Sequence, residues 1–264
     1  MSDSFNFQPI GFFKNKAFNN YDLPRQPEND SKLNTDSYIE LIKNHQFEQA
    51  LENLEGFSRI WVIFHFHKNQ NWNPKILPPR GSEKKIGVFA SRSPYRPNPI
   101  GLSCLELIKI EGLKVFVSNS DILNDTPILD IKPYIPYCDA FPDAKSGWLE
   151  NIEDTKYEIN FTPQALLQTQ FLAEVSNSID LTSFIKRSLE YEPLNSDKKR
   201  LILTDNNCIL CYRTWRIKFS INSKEKIIQI EDIFSGYSET DLKDTTDIYK
   251  DKKIHHDFIL RFKK

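Results

Sequence analysis

Gly87 to Gly101 reads G-V-F-A-S-R-S-P-Y-R-P-N-P-I-G and gathers, in one short stretch, residue types that recognise anions and stiffen a backbone. Pro94, Pro97 and Pro99 fix φ and remove backbone donors, which excludes helix and central strand. A pre-set extended loop holds Arg92, Arg96 and Asn98 with little ordering cost when a ligand binds. A rigid turn between strands is the alternative, but two arginines and an asparagine on such a turn favour a binding role. From Arg59 to Gly101 the cations are Arg59, Lys68, Lys75, Arg80, Lys84, Lys85, Arg92 and Arg96, against one acid, Glu83, with His65 and His67 beside them. Trp61, Trp72 and Tyr95 lie among them, and aromatic faces interleaved with Lys and Arg suit unpaired bases and phosphates. The same composition fits a solvated loop balanced by acids elsewhere, so both readings stand.

The elements that must position this loop read as mainly β. Strand-like runs occur at Phe7 to Phe13, Tyr38 to Ile42, Ile60 to Phe66, Ile86 to Ala90, Leu102 to Ile110, Val115 to Val117 and Ile128 to Ile131, parted by Pro, Asn, Asp and Gly. One helix is expected between Gln46 and Leu54. Frequent short strands with few helices favour a barrel or closed sheet. After Pro142 the pattern changes. Thr162-Pro163 reads as an N-cap followed by Pro at the first helical position, with Ala165, Leu166, Phe171, Leu172 and Val175 as an apolar stripe. A second helix near Leu181 to Leu189 follows Asp180, and strands return at Cys208 to Ile221 and Lys226 to Ile233. The expected organisation is a β-barrel domain over 1–150, a smaller α+β C-terminal subdomain over 151–237, and a charged extension over 238–264, either a docked helix or a tail.

Bulk properties narrow the function. With 264 residues, a formal net charge of −1, 39% hydrophobic and 27% charged residues, the chain is ordinary globular material. Coating of nucleic acid or anionic membrane by bulk charge is excluded, so a polyanion must be met by a local patch. The run after Met1 has no apolar h-region, and no window approaches the ~18 apolar residues of a membrane helix. A cytoplasmic protein with no membrane partner is expected. Cys104, Cys138, Cys208 and Cys211 are too few and scattered for a disulfide framework. Cys208 and Cys211 form a lone C-x-x-C in a strand-like run, where residues three apart face opposite ways, so buried structural thiols are favoured and no metal site is expected.

Three separated blocks carry a resemblance: Leu23-Pro-Arg-Gln-Pro27, Gly87 to Ser103, and Asp121-Ile-Leu-Asn-Asp-Thr-Pro-Ile-Leu-Asp-Ile-Lys-Pro-Tyr134. In this order they resemble the TrmO, or TsaA-like, family of S-adenosylmethionine-dependent tRNA methyltransferases. The resemblance implies a small β-barrel methyltransferase acting as a homodimer, with the cofactor S-adenosyl-L-methionine held partly at the subunit junction. It also implies methylation of N6 in threonylcarbamoyladenosine, immediately 3′ of the tRNA anticodon. The chain has no G-x-G-x-x-G, which agrees with a cofactor site outside the Rossmann class.

Residue by residue, the resemblance assigns Pro24, Arg25, Gln26, His67, Lys68, Arg92, Leu102 and the run Asp121, Ile122, Leu123, Asn124, Asp125 to the cofactor. Arg96, Asn98, Lys132 and Tyr134 are the candidates for tRNA contact. Taken singly, Leu102 would be a core residue, His67 a satisfied strand histidine and Asp121 a turn residue. The reaction needs the sulfonium methyl in line with N6, an alignment worth ~7–11 kcal/mol, and a proton acceptor. Asp130, Tyr134 and His67, then Tyr95, are candidates for that acceptor.

Three departures from the family pattern stand out. Asn124-Asp-Thr-Pro127 replaces D-G-T-P, and Asp125 must then take the left-handed conformation that glycine usually supplies. The first strand ends Phe13-Lys-Asn-Lys16 in place of R-S-P-Y. Glu192 to Lys198 lacks the Arg and Tyr of a D-P-R-P-A-Y-like loop. A non-catalytic RNA or nucleotide binder and a small-molecule methyltransferase are therefore the alternatives to a tRNA-modifying enzyme.

Overall fold

Alternation of apolar and polar residues closes six strands into a barrel. A computed structural model describes residues 5–15, 37–78, 84–118, 120–151, 155–176, 179–196, 199–204 and 207–262, in two units that divide near Ile152. In the first unit the strands are β1 (Gly11–Lys14), β2 (Ser37–Leu41), β3 (Arg59–His65), β4 (Lys75–Ile76), β5 (Ile86–Gly87), β6 (Ile100–Glu111), β7 (Lys114–Ser118) and β8 (Pro127–Pro133). The closed order is β1-β2-β7-β6-β3-β8, with β4 and β5 forming a separate hairpin. Every second residue of β3 is buried, so Ile60, Val62 and Phe64 face inward to meet Phe13, Ile39, Leu105, Val115, Val117 and Ile128. Burying each such side chain is worth about 1.5–3 kcal/mol.

Some expected boundaries shift, for physical reasons. Pairing of β1 with β2 begins at Gly11↔Leu41, and a Cβ on Gly11 would come within 2.5 Å of the Glu40 carbonyl. Phe7, at 70% exposure, lies before that pairing and is not strand. The helix expected over Gln46 to Leu54 shortens to α1 (Phe47–Ala50) and a 3₁₀ turn at Leu54–Gly56, because Gln46 and Asn53 take φ of 56° and 66°. A short helix α2 (Pro136–Asp139) follows β8. The run Ile86 to Ala90 is strand for two residues and then a 3₁₀ turn, Val88–Ala90, whose Val88 is buried.

The second unit holds β9 (Glu158–Phe161), α3 (Pro163–Val175), α4 (Leu181–Leu189), β10 (Leu201–Thr204), β11 (Asn207–Tyr212), β12 (Trp215–Asn222), β13 (Ile227–Ser235), α5 (Glu239–Lys243) and α6 (Lys252–Phe262). Its sheet runs β10-β11-β12-β13-β9, with β9 parallel to β13. Thr162 caps α3 by accepting from the Ala165 amide at 3.1 Å, and Asp180 caps α4 through the Ser183 amide at 3.0 Å. The apolar stripe of α3 is narrower than expected: Ala165, Phe171 and Leu172 are buried, but Leu166 and Val175 are exposed. Gln168 takes an inward place instead, donating to Asp232 Oδ1 at 2.7 Å and accepting from the Ile233 amide at 2.9 Å. The single strand expected from Cys208 is a hairpin that turns at Arg213, where φ is 49°. Cys211 is buried and Cys208 half-buried on β11. Residues 252–262 form a docked helix: Phe258 is 3% exposed, and the fully buried His255 stacks on Trp215 at 3.8 Å. Among the described residues, no helix is long and apolar enough to cross a membrane.

Candidate active site

The register of β3 against β6 builds the site's floor. Phe64 pairs with Gly101 and Ile63 with Leu102, so Gly101 and Ser103 point inward while Leu102 points out. A Cβ on Gly101 would come within 2.3 Å of the Phe64 ring, so only glycine here leaves room for that ring. The proline loop leaves β3 and β6 together, tied by the Phe66 amide donating to Pro99 O at 2.7 Å.

The loop is held from within. Arg96 Nη1 donates to Ser91 O at 2.8 Å and Val88 O at 3.1 Å, and its guanidinium lies 5.6 Å from the Phe89 ring centre. Ser91 Oγ donates to Val88 O at 2.8 Å and accepts from the Ser93 amide at 3.2 Å. These side-chain bonds replace backbone pairing that the prolines cannot make. Outside the loop, the Trp148 indole donates to Ala90 O at 2.8 Å.

Between the loop, the end of β3, the start of β6 and the segment after Ser120 lies a cleft of about 420 Å³. Arg92 and Asp121 both line it. Asp121 Oδ1 accepts a 2.6 Å hydrogen bond from Ser103. Burial pushes its carboxyl up to about 6, while the Ser103 hydroxyl and the Arg92 charge pull in the opposite direction. His67 also lines the cleft, and its Nδ1 is buried without a hydrogen-bond partner. Burial, then the charge of Lys68, lowers its pKa, so the imidazole is neutral at physiological pH. A cation, an anion and an unpartnered imidazole nitrogen on one concave surface are groups that together bind a polar small molecule.

Of the residues assigned by resemblance, this cleft brings together His67, Lys68, Arg92, Arg96, Leu102, Asp121 and Leu123. Ile122 is 1% exposed and belongs to the barrel core. Asn124 and Asp125 form the turn beside it. Asp125 takes φ 60°, as its place in the glycine position requires. Its carboxylate pairs with Lys14 at 2.7 Å, Asn124 Oδ1 accepts from the Asn15 amide at 3.0 Å, and Asn15 Nδ2 donates to Ile122 O at 2.8 Å. Two departures from the family pattern thus meet in space. Asn98 is exposed on the loop. Lys132 pairs with Asp130 at 2.7 Å, and Tyr134 lies 5.8 Å from the Trp61 ring, so neither lines the cleft. Pro24, Arg25 and Gln26 lie outside the described residues.

Among the four candidate proton acceptors, His67 lines the cleft, whereas Asp130, Tyr134 and Tyr95 do not. Asp121, read as a cofactor contact, is the buried carboxylate in it. Ser103, which orients Asp121, had no role assigned to it. Its signal was present in the strand pattern, as a hydroxyl at an inward position of β6. In the second unit, Lys199 Nζ donates to Tyr191 O at 3.2 Å and to Glu192 O at 2.7 Å, where the segment departing from the D-P-R-P-A-Y pattern begins.

Residues 13–140 match the tRNA-methyltransferase O N-terminal domain. The chain is 32% identical over 203 residues to an Escherichia coli protein named tRNA (adenine(37)-N6)-methyltransferase, covering 74% of this chain and 85% of that one. A protein of the same name from Eikenella corrodens is 51% identical over 99 residues, covering 35% of this chain and 56% of the relative. The crystal structure of TrmO from Pseudomonas aeruginosa superposes with a TM-score of 0.58 at 26% identity, covering 88% of this chain and 98% of that one. A barrel with its cleft beside a proline-stiffened arginine loop, and a relative matched over most of its length, place this chain in the TrmO family of tRNA methyltransferases.

Proposed function

We propose that this protein is an S-adenosylmethionine-dependent methyltransferase acting on N6 of adenosine 37 in tRNA, and that the accepting nucleoside carries the threonylcarbamoyl group. The observation that carries the reading is one cleft holding Arg92, Asp121 and His67, drawn from three separate stretches of sequence. Relatives named tRNA (adenine(37)-N6)-methyltransferase support it at 32% and 51% identity.

The cleft fits the cofactor on chemical grounds. Its volume of about 420 Å³ lies in the usual range for small-molecule sites, roughly 300–1,000 Å³. When bound, S-adenosylmethionine supplies an electrophilic methyl group on a sulfonium. Arg92 suits the carboxylate of its amino-acid end, Leu102 an apolar face of its adenine, and His67 Nδ1 a hydrogen bond from or to a polar group. Pro24, Arg25 and Gln26, with Lys68, Leu123, Asn124 and Asp125, complete the proposed cofactor set, to which Ile122, buried in the core, adds only its backbone. Arg96, Asn98, Lys132 and Tyr134 stay proposed as tRNA contacts, Arg96 with one guanidinium nitrogen already committed to the loop.

Asp121 takes the proton that leaves N6. Its carboxyl, pushed up to about 6, is ionised at neutral pH yet more basic than an ordinary aspartate, which suits a general base. Ser103 holds Oδ1 and thereby the orientation of the carboxylate. The reading includes a cytoplasmic homodimer, supported by the family resemblance.

The deciding measurement is mass spectrometry of nucleosides from tRNA of cells with and without the gene. Loss of N6-methylated threonylcarbamoyladenosine is expected, and an unchanged profile overturns the substrate. Calorimetry with S-adenosylmethionine tests the earlier step: absence of binding ends the enzyme reading. Arg92→Ala should lose turnover while retaining its circular dichroism, and wild-type turnover would remove Arg92 from the site.

A further inference from the structure

The proline loop is a wall with two sides. Arg92, Pro94 and Arg96 face the cleft described above. Ser93 and Tyr95 face a second one, of about 290 Å³, whose remaining walls are Asn73, Lys75, Ile76, Leu77 and Lys85. An extended chain alternates its side chains, so one short segment serves both clefts.

The hairpin register explains the second cleft's charge. Lys75 pairs with Gly87 and Ile76 with Ile86, which sets Lys85 opposite Leu77. Lys75, Leu77, Gly87 and Lys85 therefore share a face. Gly87 contributes no side chain, and the space over it is open. Backbone bonds fix the hairpin to the loop: the Asn73 amide donates to Tyr95 O at 3.1 Å and the Val88 amide to Pro74 O at 3.0 Å. Among the described residues neither Lys75 nor Lys85 makes an ion pair. Tyr95 is 46% exposed and Leu77 40% exposed, so an aromatic ring and an apolar wall stand open to solvent in a cleft that two cations also line.

We propose that this second cleft is an RNA subsite that takes a nucleotide neighbouring the target adenosine, an inference that rests on the tRNA reading above. Tyr95 gives a face for an unpaired base, Asn73 an amide able both to donate to and accept from its edge, and Lys75 and Lys85 the charges for its phosphates. With the target base at the mouth of the first cleft, beside the cofactor, and a neighbour in the second, the proline loop separates the two and sets the register of the strand. Its rigidity, supplied by Arg96 and Ser91, then has a use beyond cofactor binding.

The test is binding of an anticodon stem-loop RNA to the full chain by fluorescence anisotropy across a salt series. Lys75→Ala/Lys85→Ala should weaken binding at low salt and lower the slope of log K against log salt by about 1.4, the value for two single-strand phosphate contacts. Tyr95→Ala should weaken binding about ten-fold with the slope unchanged. Calorimetric affinity for S-adenosylmethionine should stay at the wild-type value in each variant, which also certifies the fold. If wild-type protein methylates tRNA while the lysine variant keeps both affinity and slope, the subsite is overturned and the tRNA reading survives. A wild-type protein that neither binds nor methylates the RNA overturns both.

Discussion

Burial beside Ser103 moves the Asp121 carboxyl from 3.8 to about 6, so the folded barrel binds this proton more tightly than the unfolded chain does. Stability therefore falls as pH rises through the interval from about 4 to about 6, and the loss is complete above it. A shift of about two units corresponds to about 3 kcal/mol. Asp121→Asn removes the charge and keeps an oxygen able to accept from Ser103. Its stability gain over wild type should be near zero below pH 4 and about 3 kcal/mol at pH 8, apart from a pH-independent offset from pairing the new amide. Urea unfolding at both pH values measures the gap. Methyl transfer should be abolished, whereas wild-type turnover should fall as pH drops through about 6. A gap that does not grow between pH 4 and pH 8 would refute the buried-anion argument. Retained turnover in the variant would refute the assignment of the base.

Two more substitutions test how the parts are held. Arg96→Lys removes the guanidinium whose Nη1 donates to both Val88 O and Ser91 O. It should cost about 1–3 kcal/mol and speed amide exchange over residues 88–96, and unchanged exchange would show that the arginine does not brace the loop. Phe258→Ala removes a ring packed 4.9 Å from Trp215 and 4.8 Å from Phe262. Unfolding of the second unit should weaken by about 3–5 kcal/mol, and a loss below about 1 kcal/mol would mean that α6 contributes little to that core.

Strand alternation and helix capping were legible because they are local. Thr162 and Asp180 cap the helices they announce, and Ile60, Val62 and Phe64 face the core their spacing requires. Where tertiary contacts intervene, local reading loses its hold. Arg213 turns a continuous strand-like run into a hairpin without glycine or asparagine to signal it. Gln168 occupies an inward helical place because the Asp232 carboxylate and the Ile233 amide wait there. Lys14 and Asp125 depart from the family pattern separately in sequence yet pair where β1 runs beside the turn that leads into β8.

The arginine-bearing loop shows the same division. Three prolines determine by themselves that Gly87 to Gly101 is neither helix nor central strand, since fixed φ and missing donors act within the residue. The chain's order of motifs likewise sufficed to identify the family. What tells the two arginines apart was decided by packing: both line the cleft, but Arg96 is tied back to the loop's own carbonyls, while the charge of Arg92 acts on Asp121. The basicity of Asp121 was decided there too. A carboxyl's pKa depends on how far water is excluded and which charges surround it, and those distances exist only once the barrel has closed.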